Sequence, residues 1–448
     1  MPRTPLSLTA QTIRHLGVLI PAVIALGACG SAATLPVSAG MGPHPALPGP
    51  KTSLIPTVNV ADAKGWHGDA KPLPAAGLGV NAFATGLDHP RWLYVLPNGD
   101  VLVAETNAPN RPEDGKGIKG FFFRKFQKKA GAGVPSANRI TLLRDADGDG
   151  QAETRTVFAA GLTSPFGMAL VGNTLYIANA DAIVSLPYTT GVTQVSEPPK
   201  KLIDLPGGPI NHHWTKNIIA SADGTKLYAS IGSNSNVAEN GIAVEGDRAQ
   251  IWEIDLRTGA NRVFATGLRN PVGMTWQPES GALWVAVNER DELGSDIVPD
   301  YMTAVRDGAF YGWPYSYYGQ HVDDRVKEQR PDLVARAIVP DYALGPHTAS
   351  LGLVSGRGNA LGTAFADGMF VGQHGSWNRE PASGYKVIFV PFAAGMPSGA
   401  ATDVLTGFRD RAGNAQGRPV GVAIDKRGAL LVADDVGNTI WRVTTAAR

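Results

Sequence analysis

Apolar residues along this chain fall in short runs cut off by Gly, Pro, Asn and Asp, and long helical patterns are scarce. Four segments share one layout. They are "AFATGLDHPRWLYVLPNGDVLVAETN" from Ala82, "VFAAGLTSPFGMALVGNTLYIANA" from Val157, "VFATGLRNPVGMTWQPESGALWVAVN" from Val263 and "VLTGFRDRAGNAQGRPVGVAIDKRGALLVADD" from Val404. Each gives a Gly-turn, a Pro, an apolar strand, a tight turn and a second strand. Degenerate copies begin at Asn217 and Gly362. The second strands start near Asp100, Thr174, Lys226, Ala282, Met369 and Ala429.

One such unit leaves apolar faces and strand edges uncovered, so the units must stack or close. Six of them predict an all-β, six-bladed β-propeller over residues 54–448. The run from Leu54 to Val60 is the expected partner of Thr439–Thr444 in closing the ring. Loops at one end of the central channel then converge on a pocket, where function is expected.

The N-terminus has a different pattern. Arg3 and Arg14 precede "LGVLIPAVIALGA", an apolar stretch too short to span a bilayer comfortably, and small residues lead into Cys29. Residues 1–28 read as a signal peptide. "LGAC" reads as a lipobox, with Cys29, the single cysteine, as the lipidated residue. Gly30 follows where an inner-membrane retention signal would place Asp, which favours the outer membrane of an exported bacterial lipoprotein facing the periplasm. Residues 29–53, rich in Pro, Ala and Gly, read as a tether. With 40 Lys+Arg against 39 Asp+Glu, the chain lacks the basic excess that nucleic acid requires.

Candidate chemistry sits beside the repeats. "NHHWTKN" (211–217) places His212 and His213 ahead of a blade strand. Adjacent side chains diverge, no metal-ligand spacing accompanies them, and one histidine at a channel mouth suits a general base. "GLRNPVGM" adds Arg269 and Asn270. Arg91, Arg379 and Arg418 occupy comparable points of other blades, and together these cations suit an anionic, oxygen-rich ligand. The acidic loop "NERDELGSDIVPDY" reads equally as solvated charge or as an oxygen-rich calcium loop. "DADGDGQAE" carries Asp145, Asp147 and Asp149 in half of a calcium-loop pattern, where a plain hairpin turn is the competing reading. The insertion at 109–138 mixes Lys and Arg with four Phe; it packs on the domain or touches a membrane.

"NHHWTKN", "GLRNPVGM", "NERDELGSDIVPDY", "FYGWPYSYYG" and "HGSWNR" together resemble the glucose/sorbosone dehydrogenase family, six-bladed quinoproteins that hold pyrroloquinoline quinone (PQQ) and Ca²⁺. The sorbosone branch is the nearer. The resemblance implies oxidation of an aldose or sugar aldehyde by hydride transfer, with a respiratory electron acceptor and a lipid-anchored enzyme. It implies His213 as the base, Arg269 and Asn270 over the quinone, and Arg379 and Arg418 on its carboxylates. It puts a two-carbonyl calcium site on Asp291–Glu292. Where the family has an Asp orienting the base, this chain has His212. A calcium-dependent propeller lactonase and a non-catalytic sugar- or protein-binding propeller are the alternatives.

Overall fold

The computed structural model describes residues 30–53, 57–109 and 125–446. Cys29 and the signal segment lie outside the described residues. Six antiparallel sheets of four strands, some with an added edge strand, form the expected ring. Blade 1 starts at Pro90–Val95, blade 2 at Met168–Val171 and blade 3 at Lys216–Ala220. Blades 4, 5 and 6 start at Pro271–Trp276, Ser350–Ser355 and Pro419–Ile424. These innermost strands pack in sequence around the channel, the last against the first.

The repeat is legible because the second strands are buried on both faces, which gives continuous apolar runs. In Val101–Glu105, Leu102 and Ala104 join the core shared with blade 2, whereas Val101 and Val103 join the core shared with blade 6. Leu283 and Val285 against Trp284 and Ala286 repeat this alternation in blade 4. The Gly two residues after the repeated Pro has its own cause. A Cβ on Gly273 would lie 2.5 Å from the Leu353 nitrogen, and one on Gly167 2.4 Å from the Ile218 nitrogen. Only glycine lets the innermost strands approach that closely.

Two expectations change. The closing strand is Leu78–Ala84, paired antiparallel with Thr439–Thr445. In the run 54–60, residues 54–56 lie outside the described residues and 57–60 form no strand. Both segments are apolar, but Leu78–Ala84 runs directly into blade 1, so a short connection suffices. Nor do residues 30–53 hang as a tether. Met41–Gly42 adds a strand to blade 4, Thr34 donates through its backbone N and Oγ1 to Asp296, and Ser295 Oγ donates to the Ser31 carbonyl at 2.5 Å. Among the described residues, no helix is long and apolar enough to cross a membrane.

Candidate active site

All six innermost strands begin at the same end of the channel, so the loops before them meet the loops that follow the second strands. Between them lies a pocket of about 230 Å³. Its walls include His89, Asn288, Asp291, His347, His374, Trp377, Arg418 and Asp435. Phe126, Gln127, Ala130 and Ala132, at the end of the basic insertion, lean over it. This part of the insertion therefore packs on its own domain, while residues 110–124 lie outside the described residues.

The floor centres on Asp435. Its carboxylate takes Arg91 Nη1 at 2.5 Å and His374 Nε2 at 2.9 Å, with His89 Nε2 3.6 Å away. Burial disfavours its charge, yet His374, His89 and Arg91 hold the carboxyl well below the usual carboxylate range. Burial pushes the His374 imidazole down to about 4 in spite of Asp435. With both histidines neutral, Arg91 and Arg418 outnumber the single carboxylate, so the floor is positive. Arg418 stacks on Tyr385 and donates to its hydroxyl at 3.0 Å. The Nε atoms of both arginines and Nε2 of His89 are buried with no hydrogen-bond partner. Buried guanidinium donors in that state suit an anionic, multi-oxygen ligand.

His213 stands at the start of blade 3. Its Nδ1 lies 2.9 Å from both the carbonyl and the hydroxyl oxygen of Ser233. Ser233 Oγ already donates to the Ser235 carbonyl at 2.7 Å. Both Ser233 oxygens are therefore acceptors toward the ring, so Nδ1 carries the proton and the basic lone pair is on Nε2. Ser233 does the orienting that the sequence left without a candidate. His212 meets His213 edge-on, ring centroids 4.9 Å apart, and lies near Glu239. The fully buried Lys216 donates to the carbonyls of His213 and Trp214, both at 3.2 Å. Burial holds its amine well below the usual lysine range. Asn270 is next to His213 across Gly232, and its buried Oδ1 has no partner.

Other predicted residues are placed differently. Arg269 is fully buried and spends its guanidinium on protein: Asn236 O at 3.1 Å, Asn236 Oδ1 at 2.9 Å, Glu289 O at 2.7 Å and an ion pair with Asp291 at 3.7 Å. It supports the pocket wall from behind. Arg379 is likewise buried, donating to Ser295 O at 2.9 Å, Pro381 O at 2.7 Å and Leu35 O at 3.0 Å. It staples the N-terminal segment and is absent from the pocket wall. Asp291 lines the pocket, whereas Glu292 is exposed beside a separate small hollow. Of the other acids in that loop, Asp296 binds Thr34 and Asp300 accepts from the Glu289 and Ser350 nitrogens. Their partners are structural. Tyr317 and Tyr318 join the core between blades 3 and 4.

Asp145, Asp147 and Asp149 lie on the hairpin turn of blade 1 at the far end of the propeller, where Glu153 joins them with all four ligand oxygens within 4.8 Å of one another. Asp145 accepts from the Gly148 and Gly150 nitrogens, and Arg427 lies 3.2 Å away. His89 and Asp435 escaped the sequence reading of the site, whereas His374 opens the "HGSWNR" motif. For Asp435 the signal was the doublet Asp434-Asp435. Strand alternation separates its members, sending Asp434 to Trp66 and Trp441 and Asp435 to the pocket.

The fold and the pocket define a channel-mouth propeller with a cationic floor. Comparison with known proteins gives the family: the profile described as TrAA12-like matches residues 72–305 and 319–446, and the chain belongs to that family. A Coprinopsis cinerea pyrroloquinoline quinone-dependent pyranose dehydrogenase is 26% identical over 223 residues, 40% of this chain and 30% of that protein. The chain thus spans under a third of that relative's length. The Trichoderma reesei Carbohydrate-Active Enzymes Family AA12 protein, solved in iodide and calcium forms, superposes with a TM-score of 0.67 at 19% and 18% identity, covering 84% of this chain and 98% and 97% of those chains. The holo pyranose dehydrogenase PQQ domain of Coprinopsis cinerea superposes at 0.66 with 22% identity, covering 86% of this chain and all of that one. The expected kinship with PQQ-dependent sugar dehydrogenase propellers is borne out.

Proposed function

We propose that this chain is a PQQ-dependent dehydrogenase that oxidises an aldose or a sugar aldehyde of the L-sorbosone kind to the lactone or acid. The observation that carries the reading is the floor of the pocket. Arg91 pairs with the Asp435 carboxylate there, Arg418 is held by the Tyr385 hydroxyl, and the buried Nε of each stands without a partner. PQQ is a flat quinone bearing carboxylates, and Arg91 and Arg418 supply the charge and donors such a molecule needs, with His89 and His374 beside them. When bound, the quinone supplies the two-electron acceptor.

The chain's own residues do the rest. Nε2 of His213 takes the proton from the sugar hydroxyl or aldehyde hydrate, with Ser233 holding the tautomer that keeps this nitrogen basic. Asn270 presents an amide beside that base. Arg269 fixes the wall carrying Asn288 and Asp291. Phe126 and Trp377 limit water at the mouth. The reading includes export, a lipid anchor on Cys29 and a respiratory electron acceptor. Fatty-acid labelling that survives in Cys29→Ala would sink the anchor.

The test is reconstitution of the purified chain with PQQ and dye reduction by aldoses, pyranoses and sorbosone. PQQ-dependent turnover with at least one sugar is expected; none with any sugar overturns the reading.

A further inference from the structure

Of the two backbone carbonyls that the family resemblance would give to calcium, that of Asp291 is already taken by donors of the chain itself, and so is the Asp291 carboxylate. The Asp291 carbonyl accepts Arg325 Nη1 at 2.8 Å and Asn236 Nδ2 at 3.3 Å. Its carboxylate accepts Asn378 Nδ2 at 2.6 Å, with His347 Nδ1 at 3.4 Å and Arg269 Nη2 at 3.7 Å. The side chain of Glu292 is exposed and lies by another hollow.

These contacts belong to a chain of alternating charge. Glu289 pairs with Arg290 at 3.0 Å, Arg290 with Asp323 at 3.0 Å and Asp323 with Arg325 at 2.7 Å. Arg325 then donates to the backbone carbonyl of Asp291, whose carboxylate pairs with Arg269. Three guanidiniums therefore balance three carboxylates. Calcium takes about six to eight oxygen ligands and favours sites with an excess of negative charge. This wall offers neither, and a divalent ion at Asp291 would sit against two fixed positive charges. Among the described residues, the only side-chain cluster with metal-like grouping is the Asp145 turn at the opposite end of the propeller.

We propose that the pocket binds its cofactor without a divalent cation at Asp291–Glu292, the Arg269–Asp291–Arg325 network standing in the place of calcium. The proposal rests on the PQQ reading above. Its test has two arms on the full chain. In the first, PQQ is titrated by tryptophan fluorescence in metal-free buffer with a chelator and again with added Ca²⁺. Affinities within about threefold are expected; binding about tenfold tighter with Ca²⁺ overturns the proposal. In the second, Ca²⁺ alone is titrated by calorimetry into the wild type and Asp291→Asn. Identical isotherms are expected, including any site on the Asp145 turn, and loss of a site in the variant overturns the proposal. Absence of PQQ binding with and without Ca²⁺ would remove the PQQ reading, and the calorimetric arm would still decide whether Asp291 holds a cation.

Discussion

Replacing Asp435 with Asn tests the charge balance of the pocket floor. Asp435 is 2% exposed and is the carboxylate that meets Arg91, His374 and His89. Asn keeps the shape and one acceptor but removes the charge, leaving Arg91 beside Arg418 without compensation. Breaking a buried pair by removing one partner costs about 3–5 kcal/mol. The amide retains part of the hydrogen bonding, so about 3 kcal/mol is expected. With a urea m-value of about 3 kcal/mol/M or more for a domain of this size, the unfolding midpoint at pH 7 falls by up to about 1 M with m unchanged. The pH dependence has a definite sign. The Asp435 carboxyl is held below its unfolded value, so its contribution is complete above that value, about 3.9, and is lost as pH falls toward the folded value. The gap between wild type and variant should therefore be constant from pH 7 to 5 and narrow below about pH 4. A midpoint change under about 0.2 M at pH 7 would mean that water already screens the cluster, and the account of the floor would fail.

Three further variants probe the base and its support. His213→Ala should abolish dye-coupled turnover while PQQ still binds; full activity would dismiss His213 as the base. Ser233→Ala removes one of two acceptors at Nδ1 and keeps the carbonyl, so kcat should fall by about fivefold, about 1 kcal/mol, with little change in PQQ affinity; an unchanged kcat would remove the hydroxyl from the account. Lys216→Met leaves the His213 and Trp214 carbonyls without their donor, which should destabilise the fold by about 1–3 kcal/mol and lower kcat more than it raises KM; a variant as stable and active as wild type would show that these carbonyls find other partners.

Much of the fold was legible, for a physical reason. Strands buried on both faces must be continuously apolar, and turns such as "PNGD" and "ADGT" punctuate them, so six repeats could be aligned on their second strands. The closing strand was harder, because Leu54–Val60 and Leu78–Ala84 are equally apolar and the choice depends on pairing with the far end of the chain. The site was legible only in part. His213 and Asn270 come together as their motifs suggest. Arg379 and Arg418 look alike in sequence, yet the N-terminal segment captures one and the pocket receives the other. Asp435 has meaning only where the loops of blades 1, 5 and 6 meet, a juxtaposition no local pattern encodes.

The claim that this pocket holds a polycarboxylate quinone is tested most directly by equilibrium titration of the apo chain with PQQ, comparing wild type with Arg418→Met. Saturable binding of one equivalent is predicted, weakened in the variant by about ten- to a hundredfold, the worth of about 1.5–3 kcal/mol for a charge-assisted bond. No saturable binding, or equal affinity in the two proteins, would contradict it.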